Sequence, residues 1–79
     1  MFIEVYVIPV SKYGSKDIDN VKVPDNRRLI PVNNIRIRLS SKCEKRAELI
    51  FPNGDHIHVV GSYDEIVNRI SLVTKITRV

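Results

Sequence analysis

Residues 49–70, LIFPNGDHIHVVGSYDEIVNRI, decide the fold. Strand, turn, strand, helix cap and helix follow one another with almost no spare residue. Pro52 suits the second position of a type I turn and Asn53 the third. Gly54 then takes the left-handed position of a three-residue hairpin loop with a bulge. That register sets Leu49 opposite Ile57 and Ala47 opposite Val59, apolar on one face. A two-residue Asn-Gly turn would set His58 opposite Leu49 and roll the apolar set out of the core, because side chains alternate with period two. Ser62 is the helix N-cap, and Glu65 three residues later completes a capping box. Asp64 and Glu65 also suit the positive end of the helix. Tyr63, Ile66, Val67, Ile70 and Val73 recur at helical spacing as one apolar stripe, with Asn68 and Arg69 facing solvent.

Working outward, NNIRIRLS (33–40) alternates, with Ile35, Ile37 and Leu39 pointing one way and Arg36 and Arg38 the other. RAELIF (46–51) places Ala47, Leu49 and Phe51 inward. Phe2 to Val10 has strand composition, with Ile3, Val5 and Val7 on one face and Phe2, Glu4, Tyr6 and Ile8 on the other. Both faces are largely apolar, which predicts cover on both sides or an oligomer contact. Pro9 ends this strand. RRLIPV (27–32) is an extended stretch broken by Pro31. Between them, Ser11 to Asn26 is turn-rich and long for an unstructured connection. Either its VKV is a short strand or the segment is a mobile loop with a task. TKITRV is a final strand or a frayed end, in which Ile76 and Val79 need a partner if ordered. The expected fold is α+β, mainly β: one domain over residues 1–79, an antiparallel four- to five-stranded sheet (a meander or small open barrel) with one C-terminal helix.

Seventy-nine residues allow one thin core, with a stability on the order of 5 kcal/mol. A partner or a dimer would help such a chain. Hydrophobic residues make up 43% and charged residues 28%, too apolar for disorder. No run is long enough to span a bilayer and the start lacks the positive region of a signal peptide, so a cytoplasmic location without membrane contact is expected. Cys43 is the only cysteine, which excludes an internal disulfide. Its neighbours Lys42, Lys45 and Arg46 favour a thiolate, yet an exposed loop cysteine without a role is the simpler reading. The net charge of +4 and pI near 9.5 suit a polyanion and also suit ordinary solubility.

The register makes a chemical statement about the outer sheet face. Arg38, Glu48 and His58 form one row across three strands, and Arg36, Ile50 and His56 its neighbour. Three readings compete there. The face is a solvated surface with weak ion pairs. Or it is a partner surface, self-associating through exposed Ile50 and Val60. Or it contacts phosphates through Arg36 and Arg38 together with Arg27, Arg28, Lys42, Lys45 and Arg46. The strands lack interleaved aromatics for base stacking, although Tyr13 can reach from the loop. His56, His58 and Glu48 can supply three metal ligands, but an ordinary surface pair is the simpler account, and no metal or cofactor is expected. Without metal, Glu48 should make His58 easier to protonate than a free histidine. Gly14, Gly54 and Gly61 are scattered and form no phosphate loop, no carboxylate pair lies in a cleft, and no catalytic residue is expected.

The stretch from Arg28 to Ile70 resembles the small FlbD-like proteins of flagellar and swarming motility and of phage and mobile elements. The positions that carry the likeness are Val32, Asn33, Ile35, Leu49, Asn53, Gly54, Val59, Ser62, Glu65, Ile66 and Ile70. The insertion SKYGSKDIDNVKV (11–23) departs from that compact pattern. The resemblance implies no catalytic residues. VGSYDEIVNRI is also similar to the helix start of the carbon storage regulator, and the IPVNNI and LIFPNG segments to the β-core of LytTR DNA-binding domains. The expectation is a non-enzymatic interaction or assembly module that associates with itself or another protein; the alternative is a small nucleic-acid-binding regulator.

Overall fold

A computed structural model of the chain describes residues 1–75, 77 and 78. Two antiparallel strands, β1 (Phe2–Tyr6) and β2 (Arg27–Pro31), form a ribbon. A second sheet has the order β5-β4-β3-β6, built from β3 (Arg36–Leu39), β4 (Arg46–Ile50), β5 (His56–Ser62) and the two-residue β6 (Thr77–Arg78). β6 runs parallel to β3, and the other pairings are antiparallel. Helix α1 (Tyr63–Ser71) follows β5 directly. The fold is thus α+β and mainly β, as expected, with its strands divided between two sheets and no closed barrel. The ribbon joins the main sheet where Val7 bridges Val59 and the Ile8 amide donates to the His58 carbonyl. The expectation for Ile76 and Val79 lies outside the described residues. No helix among the described residues is long and apolar enough to cross a membrane.

The hairpin adopts the three-residue loop. The Gly54 amide donates to the Phe51 carbonyl and the Phe51 amide to the Asp55 carbonyl, with Gly54 at φ +92°. Leu49 pairs with Ile57 and Ala47 with Val59. The Asn53 side-chain oxygen also accepts from the Asp55 amide and stiffens the loop. At the helix start the Ser62 hydroxyl accepts from the Glu65 amide at 3.2 Å. Ile66, Val67 and Ile70 bury the helix stripe against Ile3, Val5, Ile35, Ile37, Ala47, Leu49 and Val59, with Tyr63 and Val73 at the margin. Arg69, exposed as expected, donates from its guanidinium to the Glu4 carbonyl and ties the helix to the ribbon. Leu39, expected inward, is exposed: among the described residues β6 borders β3 at Arg36 and Ile37 and does not reach Leu39.

The other sheet face departs most from expectation. Residues 10–26 contain no strand at VKV. They run through three short 3-10 turns, Val10–Lys12, Ile18–Val21 and Pro24–Asn26, and lie over that face. Ile18 and Val21 pack with Ile8, Val60 and Cys43 into a second small core, all five at 6% exposure or less, with Tyr6 and Tyr13 against it. Val60 is therefore buried and not an exposed contact residue, and Ile50 is half-buried. Cys43 is a buried core thiol and not an exposed loop cysteine. An apolar pocket accepts a small sulfhydryl as readily as a methyl group.

Candidate functional site

Two groupings of polar side chains lie on this roofed face. The first grows from Glu48, in mid-β4, whose side chain is fully buried. Its register partner Arg38 grips it with two donors, Nε to Oε1 at 3.0 Å and Nη2 to Oε2 at 2.9 Å. On the other side His56 Nδ1 stands 2.9 Å from Oε2, and His58 Nδ1 stands 4.0 Å from Oε1. The expected rows therefore form, but the ion pair is not a solvated surface pair: β3, β5 and the loop close around the carboxylate. Arg38 holds the Glu48 carboxyl below its ordinary value, against the opposing effect of burial.

His58 corrects a second expectation. Its pKa is lowered, because burial disfavours the imidazolium more than nearby Glu48 favours it. Tyr13 covers it edge-on, ring centroids 4.8 Å apart at 68°, and is thereby engaged rather than free to stack on a base. The Ser40 hydroxyl and His58 Nδ1 share a hydrogen bond at 2.6 Å, whose direction follows the tautomer of the ring. The Ser40 oxygen also accepts from the Lys42 and Cys43 amides, at 3.1 and 2.8 Å. Ser40 and Glu48 approach the same ring nitrogen, so they do not form the relay, with one partner on each nitrogen, that activates a serine. The sequence reading passed over Ser40. The signal was local: a serine two and three residues before the amides of a polar turn is the pattern of a hydroxyl-bonded turn.

The second grouping is a cleft of about 580 Å³ between the loop and the β3–β4 turn. Gly14, Ser15, Lys16 and Ile18 form one wall, and Lys42, Glu44, Lys45 and Arg46 the other, with Ser62 at the end. The Gly14 amide donates to the Lys42 carbonyl at 3.2 Å and pins the walls together, with Gly14 at φ +77°. Among the described residues, four cationic side chains and one carboxylate line the cleft. Lys45 sits at φ +61°, a conformation that costs a residue with a Cβ about 1–2 kcal/mol. The strained backbone aims the Lys45 carbonyl at the Tyr63 amide, 3.3 Å away, at the start of α1.

The seven basic residues expected to share a phosphate surface are thus dispersed. Lys42, Lys45 and Arg46 line the cleft, joined by Lys16, which the sequence reading left out. Arg38 is committed to Glu48. Arg27 lies 3.8 Å from Glu4 on the ribbon, and Arg28 donates to the Asp25 and Arg27 carbonyls. Arg36 is exposed at the end of β3 away from the turn.

Three comparisons were made with known proteins. No family model matches the chain, and no curated protein and no solved structure is similar to it.

Proposed function

We propose that this chain is a non-enzymatic binding module whose partner is the phosphate backbone of a nucleic acid. The observation that carries the reading is the cleft, where Lys16, Lys42 and Lys45 line the walls beside Arg46, with Glu44 the one carboxylate among the described lining residues. Ser15 and Ser62 add hydroxyls that suit phosphate oxygens. Binding by such a surface is driven by counterion release and carries little sequence information, since Tyr13 is held by His58. The charge-reversed double variant Lys42→Glu with Lys45→Glu lies in an exposed turn and should leave the fold intact. In fluorescence anisotropy with labelled single- and double-stranded oligonucleotides at low salt, it should bind at least tenfold more weakly than the native chain. Arg36→Glu, on β3 at the end away from the cleft, should bind as the native chain does. The opposite ranking would move the site back to the sheet.

A second reading, self-association, is favoured by the outer face of the ribbon. Met1, Phe2 and Leu29 are 61%, 60% and 67% exposed and sit beside Pro31 there. Edge-to-edge pairing through β2 is poorly provided for. Val7 and Val32 donate across the ribbon to Asn26 and Met1, so by alternation Arg27, Leu29 and Pro31 present their backbone groups outward. Pro31 has no amide and the Arg27 amide is bonded to Pro24, which leaves Leu29 as the donor on this edge among the described residues. Contact through the apolar face is the mode this reading predicts. Light scattering at rising concentration tests it: a dimer weakened by Phe2→Ser with Leu29→Ser supports it, and a strict monomer removes it. The FlbD-like resemblance is compatible with either reading, as a regulatory or assembly accessory.

A further inference from the structure

We propose that Glu48, His56 and His58 form a binding site for a divalent transition-metal ion of the zinc class. One ligand atom from each of the three side chains lies within 4.8 Å of the other two. Two of the three are almost wholly buried, His58 at 2% and Glu48 at 0% exposure, and both are held in place by other groups. Arg38 fixes the carboxylate, the kind of outer support that orients metal ligands. Coordination through His58 Nδ1 requires the ring proton on Nε2 and the Ser40 hydroxyl turned out of the 2.6 Å hydrogen bond it shares with that nitrogen. His56 Nδ1 meets Glu48 Oε2 at 2.9 Å, a contact in which a proton stands where a metal would bridge the same two atoms. Moving that proton to the outer nitrogen of His56 frees the second lone pair.

The distances suit the ion. Bonds of about 2.0–2.1 Å in a tetrahedral arrangement separate ligand atoms by about 3.3 Å. The pair at 2.9 Å must open slightly and the pair at 4.0 Å must close. Turning His56, whose side chain is 56% exposed, opens the first pair, and a small shift of the buried His58 or Glu48 side chain closes the second. A carboxylate has about four lone-pair positions, and Arg38 uses two, which leaves Glu48 able to coordinate. Two nitrogens and one oxygen form the ligand set that zinc, cobalt and nickel share, and the fourth position opens toward solvent on the His56 side. The neighbouring guanidinium makes Glu48 a weaker donor, so the site should bind less tightly than a closed structural zinc site.

The test uses the full chain, stripped with chelator and titrated near pH 7.5 with Zn²⁺ by calorimetry and with Co²⁺ by visible absorption. The expected result is one ion per chain, the intense visible bands of four-coordinate cobalt, and a melting temperature that rises with Zn²⁺. His56→Ala, at an exposed position, should fold normally and bind at least tenfold more weakly. Arg38→Gln should bind more tightly than the native chain, because it frees the carboxylate. Cys43→Ser should bind as the native chain does. No binding by Zn²⁺, Co²⁺ or Ni²⁺ at millimolar concentration overturns the proposal. So does binding that His56→Ala leaves unchanged, or binding that Cys43→Ser abolishes.

Discussion

Replacing Ile18 by alanine tests whether residues 10–26 are part of the fold or merely lie near it. Ile18 is 4% exposed and packs with Ile8, Val21, Cys43 and Val60. The substitution removes three buried carbons, at about 0.8 kcal/mol each before any cavity term. The loop can settle partly into the space, so the total loss should stay near the lower end of the range for such changes, about 2–3 kcal/mol. For a chain of this size that is close to half the folding free energy, and the melting temperature should fall by on the order of 10 °C or more. Urea denaturation followed by circular dichroism measures the global loss. The proton resonances of His58 report the local one. Loosening the roof rehydrates the ring beneath Tyr13, so the His58 pKa should rise toward 6.5, its ordinary value. A loss under about 0.5 kcal/mol with the His58 titration unmoved would show that the second core does not hold the sheet, and would refute the reasoning.

Other outcomes follow from the same contacts. Gly61 stands at φ +116°, and an added Cβ would lie 3.2 Å from Ile66 Cδ1, so Gly61→Ala should cost more than about 1 kcal/mol in chemical denaturation. Ser62→Ala removes the acceptor for the Glu65 amide and should cost about 1 kcal/mol, with faster amide exchange confined to the first turn of α1. Acid should destabilise the metal-free protein in two stages. His58 has a folded pKa below its unfolded value, so its contribution is complete above about 6.5 and is lost as the pH falls through that value toward the folded one. Glu48 likewise contributes fully above about 4.5 and loses its contribution as the pH falls through its lower folded value. Urea midpoints that rise between pH 7 and pH 5 would contradict this.

Much of the fold is legible in the sequence because its signals are local and agree. Pro52, Asn53 and Gly54 select the loop, the loop selects the register, and the register places Arg38, Glu48 and His58 in one row. Ser62 and Glu65 begin the helix where the strand stops. What the pattern does not carry is the return of a distant segment. Ile18 and Val21 of the 10–26 loop have no periodicity, so nothing local shows that they pack on Val60 or that Tyr13 covers His58. Without that cover Glu48 and His58 read as surface residues, Cys43 as exposed, and the protonation of His58 takes the wrong sign. The same gap hides Lys16 from the basic cluster, since the Gly14 to Lys42 hydrogen bond and the shared packing of Ile18 and Cys43 bring the loop to the turn. Charge composition counts cations correctly and cannot say which are already engaged, as Arg38 is.

The salt dependence of nucleic-acid binding tests the central claim most directly. If the cleft seats phosphates on three or four cations, a plot of log affinity against log salt should have a slope of about −2 to −4. The slope should flatten by about one unit for each of Lys16, Lys42 and Lys45 changed to glutamine. A slope near zero, or no binding to DNA or RNA at low salt, would contradict the account.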